Sequence, residues 1–184
     1  RATDSRGTPL HIIHRDVSPQ NVLLSYEGDV KLADFGLAHA AARGADDDGL
    51  LKGKFAYMSP EQARANALDE RTDQFSLGII LFELITGRRA FHAEDGTTAI
   101  LQRVAGAETL VSIGEVMPSV PAAIRLCVQR AMSLDRRDRF ADAGQMAQAL
   151  ESAASASGLA MGSSGMGDWL RSIFPDHAIR IAAS

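Results

Sequence analysis

Apolar positions along this chain form one short alternating block followed by several helical ones. Asn21–Ser25 (NVLLS) and Val30–Ala33 (VKLA) are β-rich runs, and the Tyr26-Glu27-Gly28-Asp29 segment between them has the Gly and Asp that suit a hairpin turn. Asp73–Ile85 (DQFSLGIILFELI) is apolar nearly all round and meets Gly87 where a helix C-cap belongs, which predicts a helix buried on every side. Helical periodicity recurs at Thr97–Val104, at Pro121–Met132 with its early proline, and at Asp142–Glu151 behind an Asp cap. Three stretches lack periodicity. Residues 1–9 are polar, with Gly7 and Pro9, and read as loop; 37–54 reads as a long surface loop around Asp46-Asp47-Asp48; the Ala/Ser/Gly/Met-rich stretch 153–167 reads as a flexible linker. Beyond it, Asp168–Phe174 puts Trp169, Leu170, Ile173 and Phe174 on one face of a short helix. The expectation is a mainly α chain with a small β-hairpin: a lobe over 1–152, a linker over 153–167 and a tail over 168–184.

Composition narrows the field. At 184 residues, with 46% apolar and 23% charged, the chain has the balance of one globular domain of ordinary size. A net charge of -4 argues against a nucleic-acid binder that works through bulk positive charge. The single cysteine, Cys127, cannot form an internal disulfide, and no Cys/His cluster has zinc-site spacing; a reducing compartment fits, most simply the cytoplasm. The longest apolar stretch, Leu77–Ile85, is interrupted by Glu83 and is too short to span a bilayer. The start, at Arg1 rather than Met, is polar and lacks a signal peptide, and reads as a piece of something longer.

Candidate chemistry sits around the hairpin. His14-Arg15-Asp16 followed by Asn21 matches H-R-D-x-x-x-x-N, and the hairpin then delivers Asp34-Phe35-Gly36. Downstream stand Ser59-Pro60-Glu61, Asp73-Gln74-Phe75-Ser76-Leu77-Gly78 and Arg139 within Asp135–Phe140. Any one of these occurs by chance; all of them in this order and spacing do not. From about Leu10 to Leu150 the sequence resembles a eukaryotic-type protein kinase, specifically the bacterial Ser/Thr kinases.

That resemblance implies an ATP- and Mg²⁺-dependent transfer of the γ-phosphoryl group to a protein hydroxyl. Asp16 would orient the hydroxyl, Asn21 and Asp34 would offer oxygen ligands to Mg²⁺, and Leu23 would lie under the adenine. Asp73 would tie down the His14–Asp16 backbone, Arg139 would pair with Glu61, and His14 and Phe35 would stack the two motifs together. The resemblance also implies that this is the helical C-terminal lobe alone. No glycine-rich phosphate loop, strand lysine or partner-glutamate helix precedes His14, so the partners are a protein substrate and the absent N-terminal β-rich lobe, and the isolated chain is expected to be inactive.

Two positions depart from the family pattern. Where the loop usually carries a lysine two residues after the Asp, this chain has Ser18; where a Gly-Thr usually follows, it has Gly53-Lys54. One reading is two independent losses in a pseudokinase. The other is an exchange, in which Lys54 brings the ammonium and Ser18 the hydroxyl from opposite sides of the same site. The stretch Leu37–Met58 contains no Ser or Thr, and Tyr57 is its only hydroxyl. A reading from another class keeps the lobe as a non-catalytic scaffold or binding module.

Overall fold

The computed structural model describes residues 12–35, 55–91, 97–106, 112–159 and 163–175. A single 3-10 turn, Pro19–Asn21, leads into strand β1 (Val22–Leu24), which pairs antiparallel with β2 (Val30–Leu32). The register sets Val22 opposite Leu32, Leu23 opposite Lys31 and Leu24 opposite Val30. At the turn, the Ser25 hydroxyl accepts from the Glu27 and Asp29 amides at 3.2 Å each, and Gly28 takes a φ of 89° that a side chain would resist.

The helices follow: α1 (Pro60–Ala63), α2 (Arg71–Thr86), α3 (Thr97–Gly106), α4 (Ile113–Val116), α5 (Ala122–Ala131), α6 (Ala143–Ala156) and α7 (Ser163–Ile173). Helix α2 is the axle. It buries Phe75, Ile79, Ile80 and Phe82 together with Thr72, Gln74, Ser76 and Gly78, but the expected burial on every side fails along one line of the helix, where Leu77 (37%) and Leu84 (75%) are exposed two turns apart. It stops at Gly87, whose left-handed φ of 65° lets its amide reach back to the Glu83 carbonyl. Phe91, Ile100, Val104, Ile113 and Val128 close around α2 in the main core, and Ala131, Phe140 and Met146 form a satellite. Asp142 caps α6 by accepting from the Gln145 amide at 2.9 Å.

The chain is thus mainly helical with one two-stranded hairpin. The C-terminal stretch departs from expectation. Helix α6 continues to Ala156 and α7 begins at Ser163, so helix occupies both ends of the 153–167 segment read as a linker. Ala is the strongest helix former, and Ala153 packs inward, so a segment without strong periodicity is carried on by propensity and one good contact. In the tail, Leu170 is buried, but Trp169, Ile173 and Phe174 stay about half exposed (50%, 46% and 50%). The face that docks is the one with Gly167, Leu170 and Arg171, because Gly167 allows the helix backbone to approach the hairpin. Among the described residues, no helix is long and apolar enough to cross a membrane.

Between the hairpin, α2 and α6 lies an open, mostly apolar groove of about 780 Å³, lined by Ile12, Val22, Leu32, Leu77, Met146 and Leu150 among others.

Candidate active site

The loop before β1 is held from beneath. Asp73, in the first turn of α2, accepts the His14 amide on one carboxylate oxygen at 2.8 Å and the Arg15 amide on the other at 2.9 Å. Burial pushes the Asp73 carboxyl above its usual range, and the two amides, with the nearby Arg15 charge, offset only part of that. Arg15 is thereby fixed with a φ of 69°, a left-handed conformation that a side chain enters at a cost of about 1–2 kcal/mol.

The His14 ring joins the loop to the far strand. Its Nε2 lies 2.8 Å from the Ala33 carbonyl, and its Nδ1 accepts the Asp16 amide at 3.3 Å, which selects the Nε2-protonated tautomer. Phe35 packs on the ring with centroids 4.5 Å apart, so the two residues do stack the motifs on one another. Asn21 is buried, and its amide nitrogen donates to the Asp16 carbonyl at 2.7 Å and to its carboxylate at 3.1 Å. Those bonds orient Asp16, and neither of them uses the Asn21 amide oxygen. The Ala33 amide donates to the Asn21 carbonyl at 2.8 Å, closing the open end of the hairpin. Asp34 follows at once, exposed and also left-handed, with a φ of 60°. Leu23 is 55% exposed on β1, an apolar surface open to a flat ligand.

Asn21 and Asp34 could offer Mg²⁺ hard oxygen donors, one amide oxygen and one carboxylate. Among the described residues there is no group of three or more His, Cys, Asp or Glu side chains that could hold a metal ion.

Ser18 is 1% exposed, and its Oγ is a buried side-chain polar atom without a hydrogen-bond partner among the described residues. Lys54 and Asp46–Asp48 lie outside the described residues, so the expected meeting of Ser18 and Lys54 has no geometry here.

A second constellation anchors the Ser59-Pro60-Glu61 element. Arg139, its side chain fully buried, donates to the two Glu61 carboxylate oxygens at 2.6 and 2.9 Å, and Thr72 donates to Glu61 at 2.9 Å. Arg139 also donates to the Ser133 and Arg71 carbonyls and stands 5.0 Å over the Phe75 ring. Burial raises the Glu61 carboxyl, but the hydrogen bonds and charge of Arg139 outweigh it and leave Glu61 below its usual range.

Two glutamines in this frame escaped the sequence reading. Gln62 exchanges bonds with Ser59 in a capping box and donates its amide to the Arg15 carbonyl at 2.8 Å, joining α1 to the His14–Asp16 loop. The S-x-x-Q spacing was the available signal. Gln74 bonds both backbone groups of Phe140, and nothing in its spacing marks it.

Tyr57 is buried and donates to Glu83 at 2.7 Å while Arg89 bonds both. Burial and then Glu83 push its phenol far above the usual range.

The comparisons agree with this frame. A family model for the protein kinase domain matches residues 9–153. The tyrosine-protein kinase MasK of Myxococcus xanthus is 40% identical over 150 residues, which is 81% of this chain and 23% of that one. The serine/threonine-protein kinase PknL of Mycobacterium tuberculosis is 40% identical over 144 residues, 78% of this chain and 36% of its own length. PrkC of Bacillus subtilis, also a serine/threonine-protein kinase, is 36% identical over 136 residues, or 73% of this chain and 21% of PrkC. The chain therefore spans between about a fifth and a third of these relatives. The crystal structure of the Mycobacterium tuberculosis PknI kinase domain superposes with a TM-score of 0.55 at 24% identity, covering 78% of this chain and 46% of that domain, which supports the fold. With the model matched across most of the chain, and the loop, hairpin and anchoring residues in place, the chain belongs to the protein kinase domain family.

Proposed function

We propose that residues 1–152 are the C-terminal lobe of a bacterial-type Ser/Thr protein kinase, which moves the γ-phosphoryl group of ATP to a protein hydroxyl. The observation that carries this reading is the pair of Asn21 bonds that fix both the backbone and the carboxylate of Asp16. An oriented carboxylate beside a free amide oxygen suits a site that positions a hydroxyl next to a metal-bound phosphate. Bound Mg²⁺ would supply positive charge that offsets the negative charge developing on the transferred phosphoryl group. Asp16 accepts the hydrogen bond and then the proton of the substrate hydroxyl, whose oxygen bonds to phosphorus as the bond to the ADP oxygen breaks. Asn21 and Asp34 supply the metal's protein ligands, and Leu23 gives the adenine an apolar floor.

Ser18 and Lys54 are read as an exchange of roles. A serine hydroxyl buried without a partner among the described residues is costly unless a group outside them meets it, and an ammonium from the Lys54 side would do so. The lobe holds neither a phosphate-cradling loop nor the strand lysine that grips ATP, so we expect activity to need an N-terminal lobe.

The test is transfer of labelled phosphate from ATP to a generic protein substrate. The 184-residue chain alone should give no turnover above an Asp16→Asn control, whereas the lobe completed with a kinase N-terminal lobe should turn over. Asp16→Asn should lower that turnover by roughly 10²–10⁴. A completed kinase indifferent to Asp16→Asn would instead favour the scaffold reading.

A further inference from the structure

The hairpin carries both proposed metal ligands at its base, since Asn21 directly precedes β1 and Asp34 stands two residues after β2. With three residues in each strand, it is shorter than a two-stranded ribbon needs to be to hold its own shape in water. Leu23, Leu24 and Val30 are exposed, so little packing steadies it from above. Its base is tied through Asn21, Ala33 and His14. Its tip is tied by something else.

That second tie is α7, about 140 residues further along the chain. Arg171 donates from Nη1 to the Tyr26 carbonyl at 2.6 Å. Among the described residues this carbonyl accepts no bond within the turn, where the Ser25 amide goes to Asp29 and the Gly28 amide to Ser25. The other guanidinium nitrogen is held by Asp168 at 2.8 Å, one turn back on the same helix, so the donor is aimed before it binds. The approach depends on Gly167. A Cβ there would lie 2.3 Å from the Tyr26 oxygen and 3.3 Å from its carbonyl carbon, and the obstacle is backbone, which no rotamer change can move. Leu170, between these two contacts on the same face, is buried.

We propose that α7 is a clasp on the hairpin tip, and that Gly167 and Arg171 act through it as positioning residues for Asn21 and Asp34. The positioning role rests on the proposed metal function of that pair; the clasp itself does not. A strand pair held at both ends moves as one body, so a loosened tip lets the base pivot and separates the two ligand oxygens from their working geometry.

Amide hydrogen exchange on the 184-residue chain, followed by titration with Mn²⁺ alone and read as paramagnetic broadening at Asn21 and Asp34, tests both statements. Arg171→Met keeps the aliphatic stem and removes the donors; Gly167→Leu pushes the helix off. Each should speed exchange at Gly28 and Ala33 roughly tenfold or more, with Ile79 and Phe82 in α2 unchanged as the fold control. Arg171→Lys should restore most of the protection, which a general loss of stability would not explain. Arg171→Met should also raise the Mn²⁺ concentration for half-broadening severalfold. Unchanged exchange at Gly28 and Ala33 in both variants overturns the clasp. Faster exchange with Mn²⁺ broadening equal in wild type and variant overturns the positioning role. Faster exchange with no broadening in the wild type supports the clasp and overturns the metal assignment on which positioning rests.

Discussion

Arg139 shows what a fully buried cation requires. Glu61, the Ser133 and Arg71 carbonyls and the face of Phe75 surround its guanidinium, so its charge and most of its donors are answered. Glu61→Ala should then cost roughly 3–5 kcal/mol in urea unfolding, because it strands the arginine, and Glu61→Gln should cost less because it still accepts hydrogen bonds. Equal midpoints for both variants and wild type would refute the pairing as a source of stability. The same carboxyl sets a pH dependence. Its folded value is depressed, so its contribution is complete above the ordinary value of 4.5 and is lost as pH falls below it; Asp73, raised from 3.8, contributes in the opposite sense and gains as pH falls. Acid unfolding between about pH 5 and 3 should therefore become shallower in Glu61→Gln, and a limb identical to wild type would contradict that. At Ser18, the proposed exchange makes a kinetic prediction for the completed kinase. Lys54→Ala should lower kcat by roughly 10²–10³, the scale of losing one preorganised donor, and Ser18→Lys combined with Lys54→Thr should recover much of it. An unaltered kcat in Lys54→Ala would make the exchange a coincidence of sequence.

Helix α2 organises the other elements because its neighbours reach its backbone. Gly78 faces the end of α5, where a Cβ would sit 2.7 Å from the Met132 side chain, 3.2 Å from Ala131 and 3.3 Å from the Met132 amide. Gly78→Ala should destabilise the chain by about 1–2 kcal/mol in urea, although alanine is the better helix former by about 1 kcal/mol, because overpacking against the Met132 and Ala131 side chains outweighs propensity. A stabilised variant would show that α5 can yield. The helix itself was plain from its long apolar run, its Gly87 stop and the spacing of Asp73, Ser76 and Gly78. So was the Glu61–Arg139 pair, which family resemblance joins across 78 residues. Other parts were not legible for physical reasons. Gln62 and Gln74 work through amide-to-backbone bonds that leave no periodic trace. The helices at the two ends of 153–167 rest on alanine propensity and on the Gly167 contact with a distant turn, and composition alone makes the same stretch look like a linker. The burial of the Ser18 hydroxyl, with no partner among the described residues, could be known only from three dimensions.

Across the whole molecule, the groove between hairpin, α2 and α6 leaves Leu77 (37%), Ile12 (51%) and Val30 (59%) in contact with water around a space of about 780 Å³. Apolar side chains open to water around one groove offer a hydrophobic reporter dye a place to bind, so the folded chain should bind it before it unfolds. Dye fluorescence that stays at the buffer level until the melting transition would mean the groove is closed in solution. The catalytic frame carries a different cost. Arg15 and Asp34 both sit in left-handed conformations where glycine is the relaxed choice, yet glycine at either position has no side chain with which to act. Mutational drift in a chain released from selection would gain stability at these two positions by discarding their side chains. Glycine at Arg15 or at Asp34 should therefore relax the backbone while the buried core stands unchanged, so the strain at these two positions is separable from the packing that holds the lobe.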